Sequence, residues 1–349
     1  MTINLRPEAL EGLVARVLAA NGMSVENARI VAAVVAAAER DGARSHGLFR
    51  IPGYIGTLRS GWVNGRSTPK VRDAAPGVVA TDADNGYSQI ALAASRPLLL
   101  EKAKRNGIAL LAIRNSHHFA ALWPDVEPFA AAGFLALSFV NTRSRVAPWG
   151  ASKRLLGTNP MAFACPRPNG PPMVWDQASS VTAMGEVMLA AQEDHAVAGD
   201  VGIDAEGRAT TDPKAIMAGG ALRPFGGHKG SAIAAMVEIL AAALTGGRFG
   251  FEDRSAQYPG AESSNAGQSI LLIDPAVTAG TAFGERVDKL FSRLASVGVS
   301  RLPADRRYAA RRKAEKDGIV IEQKTYDHLR SLLPPDDPEH RPPEPVDRA

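Results

Sequence analysis

Apolar residues recur every third and fourth position through Leu10, Leu13, Val14, Val17 and Leu18, the spacing that lets one face of an α-helix bury itself. Asn21-Gly22 stops this helix. A second starts after Ser24, a suitable N-cap, with Glu26 near the positive end of the helix dipole. It carries Ile30, Val31, Val34 and Val35 to about Arg40, and Gly42 closes it. Arg44-Ser45-His46-Gly47-Leu48-Phe49-Arg50 follows at once. Pro52-Gly53 and Gly61-Trp62 limit 50–70 to a short helix and turns.

Farther on the apolar runs shorten. Residues 78–81 read as a strand and Asp84-Asn85-Gly86 as a turn. Ser88 can cap a helix to Arg105, kinked or broken at Pro97, with Gly107 at its C′ position. A buried strand over 108–113 leads directly into a polar loop over 114–119. A helix over 124–132 starts on a proline. Strands are expected over 134–140, 161–165 and 270–273, with another ending in 174–178. Gly226-Gly227-His228-Lys229-Gly230 opens an apolar helix over 231–244, and further helices fit 283–294 and 304–317. The segment from Leu333 is rich in proline and charge and predicts disorder over 333–349. Strands interleaved with helices place the chain in the α/β (α+β) class. A GxGxxG after a first strand and a GxxxxGK[ST] are both missing from the sequence, so neither an ordinary Rossmann unit nor a P-loop has support.

Composition narrows the function classes. A chain of 349 residues, 45% apolar, can bury one large core or two to three smaller ones. A formal net charge of +4 gives no reason to expect nucleic acid as a partner. The one basic cluster is Arg301, Arg306, Arg307, Arg311, Arg312, Lys313 and Lys316, part of which fits a solvated helix face. A single cysteine, Cys165, excludes an internal disulfide and a multi-cysteine metal site. The first residues lack the pattern of a signal peptide, and no uncharged apolar run reaches a membrane span of ~18 residues. The expectation is a soluble, cytoplasmic protein without a membrane partner.

The chemistry concentrates at residues 44–50. His46 and Arg50 are four apart, so one helical turn would put them on one face, about 5–6 Å between Cβ atoms. An imidazole can give a proton, and a guanidinium can fork two hydrogen bonds onto a carboxylate. Together they suit reduction of a 2-oxo or 2-imino carboxylate, although Arg50 could instead pair with an acidic neighbour. His117 and His118 point different ways as neighbours, and without a third ligand at a recognisable spacing they do not predict a metal site. They suit a loop approaching a phosphate or nicotinamide, or a loop that merely packs. His228-Lys229, between glycines at a helix start, suits an anion or a solvated turn. Asp176 and Glu186 are candidate partners for an imidazole. Arg306 and Arg307 could meet the 2′-phosphate of NADP.

Taken in order, these pieces resemble the type 2 malate/L-lactate dehydrogenase family: Arg44-Ser45-His46-Gly47 with Arg50 and Tyr54, Pro148-Trp149-Gly150, Gly157-Thr158-Asn159-Pro160, Asp176 with Ala178-Ser179, Lys229-Gly230, and Leu302-Pro303-Ala304-Asp305-Arg306-Arg307. The run His117-His118-Phe119-Ala120-Ala121-Leu122-Trp123-Pro124-Asp125-Val126-Glu127 resembles the branch that reduces Δ1-piperideine-2-carboxylate and Δ1-pyrroline-2-carboxylate. The resemblance implies a non-Rossmann NAD(P)-binding domain with a mainly antiparallel sheet over 117–298. It implies a second domain from both chain ends, 1–116 with 299–332, and a homodimer. It implies NADPH, with NAD as an alternative, and hydride transfer to C2 of a cyclic 2-imino acid giving L-proline or L-pipecolate. By the same analogy His46 is the proton donor, relayed through Ser45 and Glu186. Arg50 and Thr158 bind the substrate carboxylate, beside Met184 and Gly185. His118, Phe119, Ala120, Ala121, Leu122, Asp176, Gln177, Ala178, His228, Lys229, Leu302, Pro303, Ala304, Asp305, Arg306, Arg307 and Tyr308 hold the cofactor. Met184 stands where the family commonly has arginine. Alternatives are a 2-hydroxyacid dehydrogenase and a non-catalytic nucleotide-binding relative.

Overall fold

The computed structural model describes residues 1–340. In chain order its strands are β1 (Thr2–Leu5), β2 (Lys70–Ala75), β3 (Val78–Tyr87), β4 (Ile108–His117), β5 (Leu135–Val140), β6 (Met161–Cys165), β7 (Met173–Gln177), β8 (Gly202–Ile203), β9 (Ala209–Thr210), β10 (Ala221–Leu222), β11 (Asn265–Ile273) and β12 (Ile319–Glu322). Its helices are α1 (Pro7–Ala20), α2 (Val25–Arg40), α3 (Ile51–Arg59), α4 (Ser88–Asn106), α5 (Trp123–Ala131), α6 (Met184–Gln192), α7 (Pro213–Met217), α8 (His228–Glu238), α9 (Ala282–Ser296), α10 (Asp305–Asp317) and α11 (Gln323–Ser331).

Seven strands form one sheet in the order β2-β3-β4-β11-β5-β6-β7. β3 and β4 run parallel, joined through α4, and the other pairings are antiparallel. The sheet buries Leu111, Ile113, Ala136, Ile270 and Leu272 under α4 and α5. A second core draws on both chain ends. Leu10, Val14 and Val17 of α1 and Val31 and Val35 of α2 pack with Ile319, Ile321 and Leu329. β1 closes this core by pairing antiparallel with β12. Each fully buried aliphatic side chain contributes roughly 1.5–3 kcal/mol. A small sheet, β10-β8-β9, with α6 and α7 covers a third cluster that includes Val146, Val187 and Ile216.

Several expectations change here. The boundary at 116/117 falls inside β4, because β2, β3 and β4 belong to the large sheet and β4 pairs with β11 up to His117. The polar loop expected over 114–119 therefore begins only after His117, with Asn115 at a positive φ of 53° inside the strand. Asp84 and Asn85 do take positive φ, but as an irregularity within β3. Ser88 is the first residue of α4 and donates to Gln268 Oε1 instead of capping, and the helix runs on through Pro97. α8 starts at His228, three residues early, and passes into a π-helical turn at Ile239–Ala243. Leu333 is buried against the end-built core, and Arg16 pairs with Asp337 and Glu339. The remainder of the segment expected to be disordered, 341–349, lies outside the described residues.

Candidate active site

Residues 44–50 do not form one helical turn. Two short 3₁₀ turns, Arg44–His46 and Leu48–Arg50, meet at Gly47. Gly47 lies against α2, where a Cβ would come 2.2 Å from a Glu39 carboxylate oxygen. That carboxylate accepts the Leu48 N–H at 2.9 Å, and burial raises its pKa. The result still joins the two side chains, by a different route. Ser45 Oγ lies 3.1 Å from His46 Nδ1, and Arg50 Nε donates to the Ser45 carbonyl at 2.8 Å. The Arg50 guanidinium sits over the Phe119 ring at 4.8 Å. Burial first, then the charges of Arg50 and His118, bring the His46 pKa down to about 3.

Two cavities share a wall made by His46, Arg50, Thr158, Pro160 and Met184. The smaller, about 150 Å³, also meets His118, Phe119 and Ala120. The larger, about 660 Å³, is a groove running past Ala121, Asp176, Gln177, Ala178, Gly185 and Arg307. Thr158 is placed by close packing. A Cβ on Gly157 would lie 2.3 Å from both the Asn159 side chain and the Thr142 carbonyl. Asn159 takes a φ of 38° and donates to the buried Glu238 at 3.2 Å. Asp176 accepts the backbone N–H groups of Leu122 at 2.7 Å and Trp123 at 3.1 Å, so these two donors are not free for a phosphate. Burial raises the Asp176 pKa.

Other expected residues lie elsewhere. Glu186 is exposed on the first turn of α6, and Arg50 and His118, not Glu186, are the charges acting on His46. His228 and Lys229 are exposed at the head of α8 and line neither cavity, where Phe225 represents that loop. Of residues 302–308, Arg307 reaches the groove. It donates to the Val174 carbonyl at 3.0 Å and covers the Trp123 ring at 5.1 Å. Leu302 and Asp305 face a separate surface hollow, Ala304 takes a φ of 76°, Pro303 and Arg306 are exposed, and Tyr308 donates to the Pro172 carbonyl at 2.8 Å. Arg311 is no solvated residue: Asp41 and Glu127 clasp it, each within 2.5 Å. His117 is wholly buried between Ser263 Oγ at 2.9 Å and Asn85 Oδ1 at 3.0 Å.

The structure adds partnerships and cavity-lining groups that sequence reasoning missed. His118 Nε2 lies 2.8 Å from the buried carboxylate of Asp125, which also accepts from Gln268 at 2.8 Å. The signal was an acidic residue in the first turn of the helix after the histidine pair. Arg143, Arg145 and Glu262 line the smaller cavity, and the alternation of Arg143 and Arg145 just after β5 was their only mark in the sequence. Among the described residues no cluster of three His, Cys, Asp or Glu could hold a metal ion, and no helix is long and apolar enough to cross a membrane.

The cavities fit a small anionic substrate beside a larger, extended ligand. Arg307 Nε and Trp123 Nε1, at the groove end, are buried without hydrogen-bond partners. The chain is 50% identical over 324 residues to the Δ1-pyrroline-2-carboxylate/Δ1-piperideine-2-carboxylate reductase of Pseudomonas putida, covering 93% of this chain and 95% of that protein. The crystal structure of Δ1-piperideine-2-carboxylate reductase from Pseudomonas syringae pv. tomato superposes with a TM-score of 0.93 at 49% identity, covering 95% of this chain and 99% of the other. Sulfolactate dehydrogenase from Methanocaldococcus jannaschii superposes with a TM-score of 0.83 at 28% identity, covering 95% and 96%. Residues 5–330 match the sequence profile described as malate/L-lactate dehydrogenase, and the chain belongs to that family.

Proposed function

We propose that this oxidoreductase reduces a cyclic 2-imino acid, Δ1-pyrroline-2-carboxylate or Δ1-piperideine-2-carboxylate, to L-proline or L-pipecolate with NADPH. The observation that carries the reading is His46, set on the wall common to both cavities with Arg50 beside it. The relatives at 50% and 49% identity bear the same activity in their names. The nicotinamide, when bound, would supply the hydride for C2. The ring nitrogen then takes a proton from His46.

Ser45, on Nδ1, leaves Nε2 as the nitrogen that gives the proton. Glu186 is left solvated, and the relay rests on Ser45. Arg50, held by the Ser45 carbonyl, clamps the substrate carboxylate with help from Thr158. A carboxylate there offsets the Arg50 charge that disfavours an imidazolium, so substrate binding itself favours the protonated, proton-giving form of His46. Asp176, Gln177, Ala178, Ala121 and Arg307 would hold the cofactor on the antiparallel sheet, without a Rossmann unit. Arg306, exposed at the head of α10, is the group assigned to the 2′-phosphate, which favours NADP over NAD. The working form in this reading is a cytoplasmic homodimer.

Oxidation of NADPH is followed with the two imines and with pyruvate, oxaloacetate and 2,3-diketogulonate. The expected kcat/KM is highest for an imine. A faster keto acid would make the enzyme a 2-hydroxyacid dehydrogenase. Equal KM values for NADH and NADPH, unmoved by Arg306→Ala, would overturn the cofactor assignment.

A further inference from the structure

Among the described residues, the wall of the smaller cavity holds a single carboxylate, Glu262, beside Arg50, Arg143, Arg145, His46 and His118. A site meant only for an anion gains nothing from that group, because like charges brought together repel. The fold nevertheless sets it in place. The Glu262 N–H donates to Thr57 Oγ1 at 3.0 Å, and Thr57, fully buried in α3, donates in turn to the Gly53 carbonyl at 2.7 Å. Gly53 leaves the room: a Cβ there would lie 2.6 Å from Glu262 Oε2 and 2.7 Å from the Phe119 ring. That ring is the one beneath the Arg50 guanidinium, so Glu262 occupies the same corner as the carboxylate clamp. It acts through space on Arg50 and Arg143. Among the described residues its own oxygens accept no hydrogen bond and close no ion pair. What such a carboxylate answers is a positive charge on the ligand. L-Proline and L-pipecolate are zwitterions, with an ammonium one carbon from the carboxylate, and so is the imine once its nitrogen is protonated. A 2-oxo acid is a plain anion whose carbonyl oxygen offers only lone pairs at the same position.

We propose that Glu262 selects imine over keto acid: with the substrate carboxylate on Arg50, Glu262 pairs with the positive charge on the ring nitrogen and repels a carbonyl oxygen in its place. The inference rests on the reading above for the reaction; the charge pairing can be read without turnover.

Binding of L-proline and of (S)-tetrahydrofuran-2-carboxylate, which carries an ether oxygen where proline has its ammonium, is measured by calorimetry on the intact protein with NADP present. Proline should bind at least about tenfold tighter, the worth of one charge-assisted contact. Glu262→Gln, checked for an unchanged melting profile, should bring that ratio to within about threefold by weakening proline alone. A carboxylate that merely balances the arginines would shift both ligands alike, and that result overturns the inference. So does a wild type that binds proline no tighter than the ether. Turnover keeps the two ideas apart. Glu262→Gln should lower kcat/KM for Δ1-pyrroline-2-carboxylate about tenfold and leave that for pyruvate no lower. If the wild type reduces no imine while proline keeps an advantage that depends on Glu262, the imine reading falls and the pairing stands. Brisk imine reduction with an unchanged imine-to-pyruvate ratio in the variant sinks the pairing and keeps the reading.

Discussion

Two desolvated histidines, the half-buried His46 in the turn after α2 and the wholly buried His117 at the end of β4, share a pKa near 3 and have opposite prospects. Burial is the main cause in both, helped by Arg50 and His118 at one and by Arg248 at the other. What separates them is hydrogen bonding. His117 spends both ring nitrogens on Ser263 and Asn85. His46 spends Nδ1 on Ser45 and keeps Nε2 for the cavity. A depressed pKa therefore marks a desolvated imidazole, and an uncommitted nitrogen at a cavity wall marks one that can act.

That contrast can be broken by substitution. His46→Asn should lower kcat by about 10²–10⁴, the usual worth of a positioned acid, with NADPH affinity kept within about threefold. Stopped-flow turnover and cofactor titration check it, and a kcat near wild type would make the two histidines equals. Arg50→Lys keeps the charge and loses the fork, so kcat/KM should fall about 10–100-fold through KM, read from saturation kinetics. His117→Gln should leave kcat within about threefold while costing about 1–3 kcal/mol of stability, seen as a lower Tm. Both imidazoles also tie stability to acid. Their folded pKa lies below the unfolded 6.5, so the unfolded chain binds the extra protons. Stability is whole above pH 6.5 and declines as pH falls toward 3, and His117→Gln should flatten that decline in a urea series across this window.

Legibility in the sequence followed how local the cause was. α1 and α2 were readable because their apolar spacing and the Ser24 cap, which accepts the Asn27 N–H at 3.3 Å, are written within one segment. The proposed acid and clamp were readable because Ser45, His46 and Arg50 are neighbours in sequence. Their joining by two turns was not, since it depends on Gly47 meeting Glu39. Strands β1 and β12 gave no pattern of their own, because each has its partner at the other end of the fold. Arg143, Arg145 and Glu262 escaped for the same reason: a cavity wall is assembled from loops whose proximity no spacing encodes.

The pairing of β1 with β12 sets a timetable. Roughly 300 residues separate the two strands, about 15–60 s of synthesis at about 5–20 residues per second. The ribosome delivers His46 and Arg50 well before Ile319 and Ile321, which complete the core beneath them. The nascent chain thus carries His46 and Arg50 in an unfinished nest until β12 has been made and can pair with β1.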